Sequence, residues 1–142
     1  MFGAEIIAEV AQLTGADPAT CDRGGLAEIV ASAQRVRCWL DALDVRVAAA
    51  AARLAEGGTC ETPGDVLAGG GRRSSRDAAA AARRSKVCDR MPAVHDALAG
   101  GAVSAGHVDA IARAARHLDD AGKAELAELA DTIVASARAL PV

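Results

Sequence analysis

The residues of this chain with the most chemistry to offer are arginines. Between Arg72 and Arg90 stand Arg72, Arg73, Arg76, Arg83, Arg84, Lys86 and Arg90, seven cations against the two acids Asp77 and Asp89, in a chain of 142 residues with formal net charge −3. The rest of the chain is therefore strongly acidic. Guanidinium groups are permanently charged, planar donors that grip phosphate oxygens, and a basic stripe on an acidic body orients a protein on a phosphate backbone. At about 100° per residue on a helix, Arg76, Arg83 and Arg90 fall within about 40° of one another, with Arg84 and Lys86 on the flanks. Ala78, Ala81, Ala82, Ser85 and Cys88 line the opposite face, and all are small. A helix of this kind presses its backbone against a neighbour and turns its arginines outward. The same pattern also suits a solvated arginine face on a surface helix.

Other chemistries find little support. His95, His107 and His117 lie twelve and ten residues apart, without the i, i+4 spacing of a helical metal site. Cys21, Cys38, Cys60 and Cys88 form no C-x-x-C pair, so the bland reading is reduced thiols serving as small hydrophobes. No G-x-S-x-G or G-x-G-x-x-G occurs, and Gly69-Gly70-Gly71 does not follow a strand pattern, so neither a nucleophile elbow nor a phosphate loop is signalled. Aromatic content of 1% argues against stacking platforms for single-stranded nucleic acid. No cofactor, metal or catalytic residue is expected. With no signal-peptide pattern and no apolar run of about 18 residues, the expectation is a cytoplasmic protein with no membrane partner.

The elements that must position these arginines read as helices throughout. Phe2, Ile6, Ile7, Val10 and Leu13 recur at helical spacing before Gly15 and Asp17-Pro18. Leu26, Ile29, Ala33, Val36, Leu40, Leu43, Val47, Ala50 and Leu54 then alternate three and four residues apart up to Glu56-Gly57-Gly58, which predicts one long helix over 25–56. That seam suits either internal packing or a homodimer through Leu26, Ile29, Ala33, Val36, Leu40, Leu43, Val47 and Leu54. Thr62-Pro63-Gly64-Asp65 starts a short helix ended by the triple glycine. Ser74 or Ser75 caps a helix running to Arg90, where Met91-Pro92 stops it. A short helix over 92–99 closes at Gly100-Gly101, Ser104 caps another through Leu118, and Asp119 to Gly122 forms a last turn. A final helix carries Leu126, Leu129, Ile133, Val134 and Ala137 on one face. No segment alternates with period two, so the fold class is all-α, about seven helices in a single domain.

The short helix over 62–69, the glycine turn and the helix over 75–90 have the outline of a helix-turn-helix. In that frame Arg72, Arg73, Ser74, Ser75 and Arg76 occupy the turn and the helix N-terminus, where phosphates and base edges are reached first and the helix dipole attracts anions.

From about Thr59 to Val142 the chain resembles the actinobacterial 13E12 repeat family, domain of unknown function 222. The residues that carry the resemblance are Ser75-x-x-Ala78, Met91-Pro92 followed by Ala97-Leu98-x-x-Gly101, and Val103-Ser104-Ala105-Gly106-His107 leading to Ile111-Ala112. The resemblance implies a helical domain that stands in front of an HNH endonuclease domain. The same cadence is similar, more weakly, to the segment after the recognition helix of ParB-type partition proteins, which again puts the helix over 75–90 in a DNA-reading position. The departure is chemical: the HNH motif needs a His-Asn-His arrangement around a divalent metal, and this chain has no Asn. The catalytic half is absent from the chain, which is either an N-terminal piece of a larger nuclease or a stand-alone binding remnant. The expectation is thus a duplex DNA-binding domain, not itself an enzyme, with Arg72, Arg73, Ser74, Ser75, Arg76, Arg83, Arg84, Lys86 and Arg90 on the DNA side.

Overall fold

A computed structural model describes residues 2–142, without the side chain of Phe2, so the expected place of Phe2 on the first apolar stripe lies outside the described residues. The architecture is all-helical, with no strand among the described residues. Helix α1 (Phe2–Gly15) leads through a single 3₁₀ turn (Pro18–Thr20) into α2 (Arg23–Glu56), followed by α3 (Pro63–Ala68), α4 (Ser75–Arg90), α5 (Pro92–Ala99), α6 (Ala105–Ala115), α7 (Asp120–Glu128) and α8 (Ala130–Ala137).

Helix α2 is the spine. At 34 residues it runs about 51 Å at 1.5 Å per residue, begun by the Asp22 carboxylate accepting the Gly25 N–H at 2.8 Å. Helix α1 packs on its N-terminal half, and α3, α4 and α5 pack along the rest. The buried residues of α2 are Ser32, Cys38, Ala42, Val45, Ala48 and Ala51, which is not the heptad seam. Leu26, Leu40 and Leu54 on that seam stay 43%, 48% and 52% exposed, while Ile29, Ala33, Val36, Leu43 and Val47 are half-buried. Most of the seam therefore does not form the main internal contact. Residue size explains why. The partner face of α4 is Ala78, Ala81, Ser85 and Cys88, and two faces of small residues let helix backbones approach closely, whereas the leucines of the seam would hold them apart.

Two clusters form the interior. The larger joins Cys38, Ala42 and Val45 of α2 to Val87, Cys88, Met91, Val94, Leu98, Val103, Val108 and Ala130. The smaller joins Ala48 to Leu67, Ala78 and Ala81. Between α3 and α4 the chain reverses through Gly69, Gly70 and Gly71 at φ +57°, +67° and +87°, three successive conformations that a side chain would strain.

The C-terminal third departs from the sequence reading. Asp119 to Gly122 is not the end of a helix but the start of one: the Asp119 carboxylate accepts the Gly122 N–H at 2.8 Å and caps α7. The single final helix is two, broken at Leu129, whose N–H bonds back three residues to Leu126. The break resets the helical phase, so that Leu129 turns out to 54% exposure while Ala130 is buried and Ile133, Val134 and Ala137 pack on the core behind it.

Candidate nucleic-acid interface

Helix α4 sits between α2 and α6, with its small face inward. Ser74 is its cap: Ser74 Oγ accepts the Asp77 N–H at 3.1 Å, and the Ser74 hydroxyl donates to Asp77 Oδ2 at 2.7 Å. Ser75 is the first helical residue and is exposed. The helix N-terminus is thus occupied by the protein's own carboxylate, which complements the dipole there. The Ser74 hydroxyl is thereby engaged as the cap, Ser75 stays exposed at the first helical position, and the cations of α4 lie further along the helix.

The arginines divide by what they touch. Arg84 turns inward, donating from Nε and Nη2 to the two carboxylate oxygens of Asp109 at 2.8 Å each, and its Nη1 lies 3.9 Å from Asp41. The Asp109 hydrogen bond, acting against desolvation, holds the guanidinium pKa above its ordinary value, while burial raises the carboxyl of Asp41 against the pull of Arg84. Arg84 is a brace between α4, α2 and α6, which corrects its expected place among the DNA contacts. Arg73 is paired as well, with Nη2 2.7 Å from Asp44 of α2, while 37% of its side chain stays exposed. Arg72, Arg76, Arg83, Lys86 and Arg90 are exposed, and among the described residues none has a carboxylate within ion-pair distance.

These cations do not stand alone on a helix surface. Arg76, Arg83, Lys86 and Arg90 form one wall of a cleft whose other wall is α6 and α7, while Arg72 lies outside it. One part, of about 590 Å³, is lined by Arg76, Asp77, Arg83, Arg84, Asp109, Arg113 and Arg116. An adjoining part, of about 360 Å³, adds Lys86, Arg90 and Lys123 to Arg83 and Arg116 over an apolar floor. Arg90 and Lys123 continue around a third recess beside Asp120. Along the whole cleft eight cations face three carboxylates, and Asp109 is already engaged by Arg84. Arg113, Arg116 and Lys123 were not legible as part of the basic stripe. The i, i+3 pair Arg113 and Arg116 was the one available signal, and only the packing of α6 on α4 aims it at the same space.

The Ser-Ala-Gly-His element holds α6 in that position. The Ser104 N–H donates to His107 Nδ1 at 3.1 Å, so the neutral ring carries its proton on Nε2, which donates to the Leu140 carbonyl at 2.9 Å. Both ring nitrogens are engaged, one starting α6 and the other tying it to the chain just after α8. Among the described residues no three His, Cys, Asp or Glu side chains gather as a metal site, and no helix is long and apolar enough to cross a membrane.

What the fold and site define is an all-α protein with a cationic interhelical cleft. Comparison with protein-family models, curated proteins and solved structures finds no match for this chain.

Proposed function

We propose that this chain is a duplex DNA-binding domain that seats a phosphate backbone along the cleft between α4 and α6–α7. The observation that carries the reading is the concentration in that cleft of seven cations against two carboxylates outside the Arg84–Asp109 pair, in a chain of net charge −3. From Arg76 to Arg90 the outer face of α4 spans about 21 Å, or roughly six base-pair steps. The resemblance to the 13E12 repeat family supports the same reading and makes this the DNA-holding part of an HNH-associated protein, with no catalytic group of its own. The test is fluorescence anisotropy on a labelled duplex across a salt series. If about five of these cations neutralise phosphates, log K falls with log salt at a slope near −4.5, about 500-fold between 50 and 200 mM. Replacing Arg83 and Arg116 with Gln lowers the slope by about 2. A duplex that does not bind at about 50 mM salt, or a slope unchanged in that variant, removes the proposal.

A second reading, compatible with the first, is favoured by the exposed stripe Leu26, Leu40 and Leu54 on α2: a homodimer through the seam that also includes Ile29, Ala33, Val36, Leu43 and Val47. Sedimentation equilibrium tests it, and a single monomeric mass across a hundredfold concentration range excludes it.

A further inference from the structure

The two adjoining parts of the cleft differ in a way that phosphate binding does not explain. The part between α4, α6 and α7 has a floor of Val87, Met91, Ile111 and Leu126, with Ala112 and Ala115 beside them. Five cations stand around that floor, Arg83, Lys86, Arg90, Arg116 and Lys123, and no carboxylate, hydroxyl, amide or imidazole side chain lines it. A phosphodiester backbone is polar along its length and gains nothing from an aliphatic floor. A molecule with one anionic end and an aliphatic body uses both features, since the rim supplies charge and the floor removes hydrocarbon from water. The floor has no aromatic ring for stacking and no neutral donor to read a polar scaffold, which favours a simple chain over a heterocycle. The volume of about 360 Å³ lies within the roughly 300–1,000 Å³ of small-molecule sites.

The geometry points to a binding site for a small aliphatic carboxylate in the α4–α6–α7 end of the cleft, its head group among Arg83, Arg90, Arg116 and Lys123 and its chain on Val87, Met91, Ile111 and Leu126. This site does not depend on the DNA reading.

The probe is decanoate, titrated into the whole chain and followed by ¹H–¹³C methyl spectra. Saturable shifts at Met91, Ile111 and Leu126 are expected, with a Kd below about 1 mM and with uncharged decanol at least about tenfold weaker. Lys123→Glu weakens decanoate about tenfold, and Ala115→Leu, which narrows the floor without touching charge, weakens decanoate and decanol alike. A Kd above about 1 mM, equal binding of decanol and decanoate, or shifts confined to methyl groups outside the cleft overturns the proposal. The decanol comparison uses the unaltered protein, so the test survives a variant that fails to fold. Arg83 and Arg116 line both parts of the cleft, so bound decanoate also weakens duplex binding. That last expectation rests on the DNA reading, and a duplex that fails to bind without decanoate removes that reading alone.

Discussion

Replacing Arg84 with Met keeps most of the side-chain length and removes the charge, which separates the brace from its packing. In the native structure this guanidinium satisfies both oxygens of Asp109 and lies near Asp41, with 16% of its side chain exposed against 35% for Asp109 and 28% for Asp41. Removing one partner of a fully buried pair costs about 3–5 kcal/mol, because the other charge is left without compensation. Water reaches about a third of each carboxylate here and screens it, so the cost of Arg84→Met is expected near 2 kcal/mol. That is a substantial share of the roughly 5–15 kcal/mol of a folded domain, and with a slope of about 2 kcal/mol per molar it lowers the urea midpoint by about 1 M. The pH dependence has a definite sign. Burial already raises the carboxyl of Asp41, with Arg84 opposing, and without the arginine the raised pKa rises further. A group raised in the folded state stabilises it below the ordinary carboxylate range and loses that contribution as pH rises through the folded value. The deficit of Arg84→Met is therefore largest near neutrality and shrinks toward acid. Adding Asp109→Leu to Arg84→Met removes one stranded charge and recovers about half of the loss. A deficit under about 0.5 kcal/mol at pH 7, or one that grows toward acid, would refute the view that Arg84 is spent on the fold.

Two further outcomes follow from the same structure. Burial pushes the Cys88 thiol up to about 11 and raises Cys38 as well, so in the native protein at about pH 8 both resist iodoacetamide while the half-buried Cys21 and Cys60 are alkylated; mass spectrometry showing Cys88 labelled as fast as Cys60 would contradict the packing. The Arg35 Nε–H, 2.6 Å from Glu9 Oε1, together with the Ser32 hydroxyl, holds the Glu9 carboxyl below its ordinary value. A carboxylate lowered in the folded state stabilises it above the unfolded pKa and loses that contribution as pH falls through the folded one. The docking of α1 on α2 therefore persists at about pH 5 and weakens only below the ordinary carboxylate range of about 4. Amide exchange in α1 reads this directly, and Glu9→Gln protons exchanging no faster than native ones at neutral pH would count against the clamp.

Most helix boundaries were written locally. Asp22, Thr62 and Ser74 end loops because their side chains accept backbone N–H groups within the next three residues, and Pro92 stops α4 by steric conflict with the residue before it. The failure at Asp119 has the same local origin, since an Asx residue marks a helix start as well as a turn, and the break at Leu129 has no proline or glycine to announce it. The face of α2 that packs inward was beyond reach for a different reason. Hydropathy favoured the leucine seam, but close packing between helices is decided by the size of both surfaces, and the small face of α4 becomes relevant only once it is known to be the partner.

The arginine helix shows the same division. Its existence, its limits and its small inward face follow from the sequence, because capping, periodicity and residue size act within one turn or one helix. Which arginines remain available was a tertiary decision. Asp41, Asp44 and Asp109 are far from Arg73 and Arg84 in the chain and adjacent in the fold, so two cations are neutralised where composition counted them as free, and Arg113, Arg116 and Lys123 are added where it counted nothing. Charge is a property of residues, but a charged surface is a property of their arrangement, because electrostatic interaction depends on distance and burial and not on position in the chain.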